Sequence, residues 1–264
     1  MPEPLIVPFG TFLKPEYRQG LVGHWKMNVG SGMMLPDLSG NGNHGTLTNM
    51  SFPPTATSGW AGQGLSFDGV NDYVDIASSS SSQIGSGNFS ISGWLNPTNI
   101  SGVKTFYSKR GVAVGAPYNA GMLFWVNGAQ LDFYSVVEGG SGWSVLSTTN
   151  ANLTANTRYF ISLTRSGSTV YIYVNGVRKT TSGSAVSGNV SNAVNTSIGV
   201  HAYGVTKDSY FNGLIDDVRI FNRALSADEI AHSCFFQEDE WNFGEDEALD
   251  NPVPIIAYQE RLRK

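Results

Sequence analysis

Apolar and polar residues alternate along most of this chain with a period of two, the spacing expected of strands whose two faces meet different surroundings. Residues 20–27, GLVGHWKM, read as the first strand, followed by a glycine and asparagine loop over 37–45. Residues 65–76, LSFDGVNDYVDI, alternate, turn at Asp68-Gly69 and resume. In 88–97, NFSISGWLNP, Phe89, Ile91 and Leu95 share one face, Trp94 takes the other, and Pro97 ends the run. Residues 105–109 predict a further strand and 111–120 a loop. Two hairpins follow: 122–126 with 130–136 around Asn127-Gly128, and 158–165 with 169–174 around Ser166-Gly167, after which Asn175-Gly176 turns the chain again.

The last strand of this series lies in FNGLIDDVRIFNRALSADEI, residues 211–230. Strict alternation puts Leu214, Asp216, Val218 and Ile220 on one face and Ile215, Asp217, Arg219 and Phe221 on the other. An acid among three aliphatic side chains is costly to bury without a cation or donors. Ser226 through Glu229 then form a capping box that opens a short helix. About a dozen short strands at this spacing predict an all-β antiparallel sandwich or barrel.

Composition sharpens that picture: 41 % hydrophobic residues support a sizeable core, while 31 glycines and only 14 % charged residues suit many strands joined by tight turns. A net charge of −5 with no basic patch argues against a nucleic-acid partner. Cys234 stands alone, so neither an intramolecular disulfide nor a cysteine-based zinc site is available. No signal peptide or membrane-length apolar run is present, and synthesis in the cytoplasm is the expectation.

The two ends differ from the middle. Residues 1–19 carry Pro2, Pro4, Pro8 and Pro15 among large apolar residues, and 235–264 hold eight of the 21 acids together with aromatics, Pro252 and Pro254. Proline removes backbone donors and fixes φ, so both ends read as extended arms around a domain at 20–234. Neither has the composition of a free tail, and neighbouring protein subunits are their expected partners.

Four blocks in order, GLVGHWKM with DLSGNGNHG, GLSFDGVNDYVDI, FSISGWLNP, and FNGLIDDVRIFNRALSADEI, make residues 20 to 232 similar to the laminin-G-like jelly rolls of the concanavalin A-like lectin and glucanase superfamily. The resemblance implies a two-sheet antiparallel jelly-roll sandwich used mostly for binding or adhesion, with many members holding a structural calcium. It places the loop at 37–45 near the strand carrying Asp216, which suggests Asp37, Asn41, Asn43 and Asp216 as calcium ligands, since calcium takes six to eight oxygens. Asp217, on the opposite face by alternation, is set aside.

Glucanases of the superfamily carry acids at alternating strand positions, which holds two carboxylates about 5 Å apart on one face. This chain has no such strand. His24, His44, His201 and His232 show no metalloprotease spacing, and there is no nucleophile-elbow or phosphate-loop motif. A non-enzymatic chain is the expectation. Tyr118, Trp125, Tyr134, Trp143 and Tyr203 fall on or near predicted loops, where aromatic rings can stack on sugars, whereas Trp25 and Trp94 read as packing. An isolated lectin-like domain between two anchoring arms suggests a virion surface protein, a capsid decoration or tail-associated protein, with a free carbohydrate-binding lectin as the alternative.

Overall fold

A computed structural model describes residues 18–235 apart from 28, 30–31, 52–63, 86, 111–119, 138, 141, 186–187 and 204–205. Most of both arms, and Tyr118, therefore lie outside the described residues. The strands are β1 Leu21–Trp25, β2 Met34–Leu35, β3 Gly45–Thr48, β4 Leu65–Asp68, β5 Tyr73–Ile76, β6 Phe89–Pro97, β7 Val103–Arg110, β8 Gly121–Asn127 and β9 Gln130–Val136. They continue as β10 Ser144–Thr148, β11 Tyr159–Ser166, β12 Thr169–Val174, β13 Val177–Arg178, β14 Thr181–Gly183, β15 Thr196–Ile198, β16 His201–Tyr203, β17 Thr206–Asp208 and β18 Asn212–Phe221. Helix α1, Ala227–Phe235, follows.

All the pairings are antiparallel. A seven-stranded sheet runs β1-β18-β6-β11-β12-β13, with β4 sharing the flank of β18 that β1 occupies, and a nine-stranded sheet runs β14-β10-β9-β8-β7-β15-β5-β3-β2. Between them lies one apolar core, to which Phe89, Ile91, Ile161, Leu163 and Ile215 come from the first sheet and Phe106, Phe124, Phe133, Val74 and Ile198 from the second. This is the two-sheet antiparallel sandwich that the alternation and the family resemblance predict. Lys109 also points inward, opposite Met122, and donates Nζ to the Val194 carbonyl at 2.7 Å. Burial pushes its ammonium down to about 8.

The turns are local and close to expectation, with two one-residue shifts: Ser166 pairs with Thr169, so Gly167 and Ser168 turn the second hairpin. Asn127 pairs with Gln130, so the two turn residues are Gly128 and Ala129 rather than Asn127 and Gly128. Gly128 has φ +58, the glycine-first arrangement of a II′ turn. At Asn175 and Gly176, φ values of +50 and +75 give the I′ form, and Val174 pairs with Val177 as that turn requires.

A second, smaller apolar cluster covers the far side of the seven-stranded sheet. Trp94, Phe160, Tyr173 and Phe221 project there and meet Leu225, Ile230 and Cys234 from α1 and its approach. The capping box forms: Ser226 Oγ accepts from Glu229 N at 3.2 Å, and Glu229 returns by accepting from Ser226 N at 2.9 Å. Ser90 Oγ fastens the helix start to the sheet, accepting from Leu225 N and donating to the Arg223 carbonyl. The Cys234 thiol is buried in this cluster, which pushes it up to about 12 and leaves it inert.

Strict alternation fails in β18. The pairing of β18 with β6 slips between Asp216 and Arg219, and Asp217 takes φ +48. This bulge adds one residue, so Ile215, Val218 and Ile220 all reach the core, while Leu214 leaves their face. Asp216 and Asp217 consequently both turn away from the core, not to opposite sides. The awkward acid among aliphatic residues is thereby removed from the apolar layer.

Candidate functional site

The loop after β1 folds back along the open edge of that strand. Asp37 is only 7 % exposed, and its two oxygens accept four hydrogen bonds. Oδ1 takes His24 N and Ser39 N, each at 2.9 Å, and Oδ2 takes Ser39 Oγ at 2.8 Å and Asn43 N at 2.9 Å. Ser39 Oγ also donates to the Val22 carbonyl, Asn43 Nδ2 donates to the same oxygen at 2.8 Å, and Asn41 Nδ2 donates to the Leu21 carbonyl at 2.9 Å. Leu38 N donates to the His24 carbonyl. The loop therefore supplies the donors and acceptors that a neighbouring strand would have given β1, and closes an edge that would otherwise invite pairing.

That arrangement does not fit a calcium ion. Calcium needs oxygens that face it, whereas both Asp37 oxygens face N–H and O–H donors, and Asn43 Oδ1 accepts from Ser79 Oγ and Ser81 Oγ. The fourth suggested ligand, Asp216, is drawn elsewhere: it lines a shallow cleft with Gly64, Trp94, Asn96, Arg158 and Leu214, where it interacts electrostatically with Arg158. Among the described residues, no group of three or more histidine, cysteine, aspartate or glutamate side chains is gathered as a metal would need.

Asp217, set aside on alternation, is the acid that ties the first and last strands. It meets His24 Nε2 at 2.7 Å and accepts from Arg219 Nε at 3.0 Å, with Arg219 Nη2 3.0 Å from its second oxygen. Burial works to raise its pKa, but Arg219 and His24 outweigh burial and hold the carboxyl below the ordinary range. Alternation already puts Asp217 on the side on which His24 and Arg219 face each other across the β1–β18 ladder, and the bulge moves Asp216 off the face of Val218 and Ile220.

Aromatic residues gather on the outward face of the nine-stranded sheet. Trp125 on β8 packs on Tyr134 of β9, ring centres 4.4 Å apart, and meets the edge of His201 at 5.8 Å. Directly opposite Trp125 in the ladder is Asp132, which accepts from Asn127 Nδ2 at 2.8 Å and, more weakly, from the Trp125 indole at 3.4 Å. The hairpin β16–β17 lies against β7 here, with Ala202 N donating to Ser108 Oγ. Arg110, at the end of β7, sits between two rings, its guanidinium carbon 4.7 Å from the centre of Trp143 and 4.5 Å from that of Tyr203. Tyr134, Trp143, Tyr203 and Arg110 are half-buried and Asn127 is exposed, whereas Trp125 is 8 % exposed.

Four of the five residues suggested as ligand contacts, Trp125, Tyr134, Trp143 and Tyr203, thus come together on one face. The surroundings differ from the expectation: Trp125 is a strand residue and a buried floor, and Trp143 and Tyr203 each give one ring face to Arg110. Sequence reasoning missed Arg110, Asp132 and Asp208, and considered His201 only for metalloprotease spacing. For Asp132 and Tyr134 a signal existed, because they alternate with the core residues Leu131 and Phe133 and so must point outward with Trp125. His201 and Asp208 are only 7 positions apart, paired in the β16–β17 hairpin, but the contact that joins them to Arg110 spans 91 positions, and no local pattern announces it.

A family model of the concanavalin A-like lectin/glucanases superfamily, laminin G type, matches residues 68–231, more than half of the chain. The chain belongs to this superfamily. The match begins after the block at residues 20–45, yet β1 from that block pairs with β18 at the end of the matched span. Solved structures share the jelly roll at low identity. The binding domain of Paraclostridial Mosquitocidal Protein 1 aligns with a TM-score of 0.61 and 14 % identity, over 83 % of this chain and 52 % of that one. Domain 4 of AbnA, a GH43 extracellular arabinanase from Geobacillus stearothermophilus solved with arabinotriose, aligns with a TM-score of 0.59 and 20 % identity, over 80 % of this chain and 96 % of that domain. The botulinum neurotoxin serotype D ligand binding domain, solved with N-acetylneuraminic acid, aligns with a TM-score of 0.58 and 16 % identity, over 82 % and 51 %. The chain spans about half the length of the toxin domains and nearly all of the arabinanase domain. A search of curated protein sequences gave no significant match.

Proposed function

We propose that this superfamily member is a non-enzymatic binding module whose nine-stranded sheet takes carbohydrate on its outward face. The observation that carries the reading is Arg110 between the half-buried rings of Trp143 and Tyr203, on the same face as Tyr134, which packs on Trp125, and exposed Asn127, which the buried Asp132 holds. Such a face offers a sugar both ring surfaces for its C–H groups and donors and acceptors for its hydroxyls. Support comes also from two jelly rolls of this shape having been solved with sugars, arabinotriose and N-acetylneuraminic acid. The non-enzymatic part is supported by the engagement of the acids at this face: Asp132 with Trp125 and Asn127, Asp208 with His201.

The test is a glycan array with the full chain, including arabinose oligosaccharides and sialylated glycans, repeated with Tyr203→Ala and Trp143→Ala. Each truncation is expected to weaken binding about tenfold, the equivalent of one ring contact of about 1.4 kcal/mol. Binding to no glycan at high concentration, or equal binding by both variants, rejects the assignment of this face.

For the setting of the module we propose a virion or comparable particle surface, reached after synthesis in the cytoplasm, with residues 1–19 and 235–264 anchoring it to neighbouring subunits. The proline-rich apolar first arm and the acidic, aromatic second arm support this reading. Removing both arms should abolish docking on the particle while leaving glycan binding intact; a trimmed domain that still docks refutes the anchoring role.

A further inference from the structure

Arg110 is held in place by a relay. Its Nη1 lies 2.7 Å from His201 Nε2, and His201 Nδ1 lies 2.9 Å from Asp208 Oδ1. A guanidinium has only donors, so Nε2 must accept from Arg110. The imidazole proton then resides on Nδ1 and is donated to Asp208. The relay works with a neutral imidazole and with no other state: a proton on Nε2 would point one donor at another across 2.7 Å. We infer that His201 is the positioning residue of this face, holding Arg110 between Trp143 and Tyr203 when neutral and releasing it when protonated, so that the face comes apart in acid. The inference rests on the reading of this face as the binding site, and supplies its regulation.

The groups around His201 come from five elements. Arg110 faces it from β7, Trp125 from β8, Tyr134 and Asp132 stand beside Trp125 on β9, Tyr203 shares its own strand at 4.9 Å between ring centres, and Asp208 faces it from β17. His201 is 7 % exposed, and burial and the Arg110 charge push its pKa down against the opposing pull of Asp208. The Asp208 side chain is 47 % exposed, so solvent dilutes that pull. A base whose folded pKa lies below its unfolded value is neutral in the fold and loses favourable contacts as pH falls below the unfolded value, here 6.5. Release of Arg110 therefore belongs to the mildly acidic range, below that point.

The experiment follows the full chain from pH 8 to pH 4.5, reading the His201 ring carbons by NMR and the exposure of Trp143 by acrylamide quenching, with Trp143→Phe as the fluorescence background. The expected result is one transition below pH 6.5 seen by both probes, with Trp143 more accessible in acid. In His201→Gln the amide oxygen can still accept from Arg110 and cannot be protonated, so the Trp143 transition should be lost. In Asp208→Asn, which removes the carboxylate that favours imidazolium, it should shift to lower pH. A Trp143 transition that persists in His201→Gln, or one that Asp208→Asn leaves in place, overturns the inference, as does an imidazole that titrates while Trp143 does not respond. Neither probe needs a sugar, so a silent glycan array with an intact transition would reject the carbohydrate assignment and retain the relay.

Discussion

Replacing Asp217 with alanine is expected to destabilise the folded chain by about 3–5 kcal/mol, the usual cost of removing one partner of a buried charge pair. The carboxylate joins His24 of the first strand to Arg219 of the last, at 2.7 and 3.0 Å, and without it a guanidinium and an imidazole face each other across the ladder. A second contribution comes from the backbone. At φ +48 an aspartate or asparagine is tolerated and an alanine is strained. Asp217→Asn, which keeps the backbone preference and one acceptor, separates the two: it should recover the smaller, conformational part of the loss. Urea denaturation at pH 7 measures both variants.

The pH dependence follows from the direction of the shift. A carboxylate held below its ordinary 3.8 adds stability that is complete above that value and disappears as pH falls through its folded pKa. The gap between wild type and Asp217→Asn should be constant near neutrality and close below about pH 4. A gap that stays open in acid would mean that the charge of Asp217 is not what ties β1 to β18.

Replacing Asp37 with alanine is expected to cost about 2–4 kcal/mol, because three backbone N–H groups and the Ser39 hydroxyl lose one shared acceptor. The cost should be accompanied by faster hydrogen exchange along 21–25, where the loop substitutes for a missing neighbour strand. Calcium and EDTA are expected to leave the melting temperature of the wild type unchanged, since any ligand of the folded state raises it. A rise with calcium that vanishes in Asp37→Ala would show that the loop oxygens turn toward a metal in solution. An Asp37→Ala variant as stable as wild type would remove the edge-cover account.

Both acids were visible in the sequence, but their roles were not. Asp37 in a run of glycine and asparagine has the composition of a cation loop, and equally of a loop that hydrogen-bonds backbone. The two differ only in what lies alongside, and that is β1, 13 positions earlier at His24. Alternation places Asp216 among aliphatic residues. The bulge cancels that placement, and the acid with the structural role is Asp217, which already shares the face of Arg219. At the proposed binding face, the outward direction of Asp132 and Tyr134 was readable from their alternation with Leu131 and Phe133. The relay through Arg110 and His201 was not, because it requires β7 and the β16–β17 hairpin to be neighbours first.

By itself, the sequence determined what depends on adjacent residues: the alternation of Phe89, Ile91 and Leu95 against Trp94, the turns at Gly128, Gly167 and Asn175, the capping box of Ser226 and Glu229, and with them an antiparallel sandwich closed by a helix. These are set by φ preferences, pleat and local hydrogen bonds, which act over a few positions. Tertiary structure alone decided which edge the Asp37 loop covers, where β18 slips, which acid binds His24, and how Arg110 comes to lie between Trp143 and Tyr203. Each of these is a hydrogen bond or ring contact between distant segments, 193 positions apart for His24 and Asp217. Its partner is chosen by sheet order and register, which no single segment encodes.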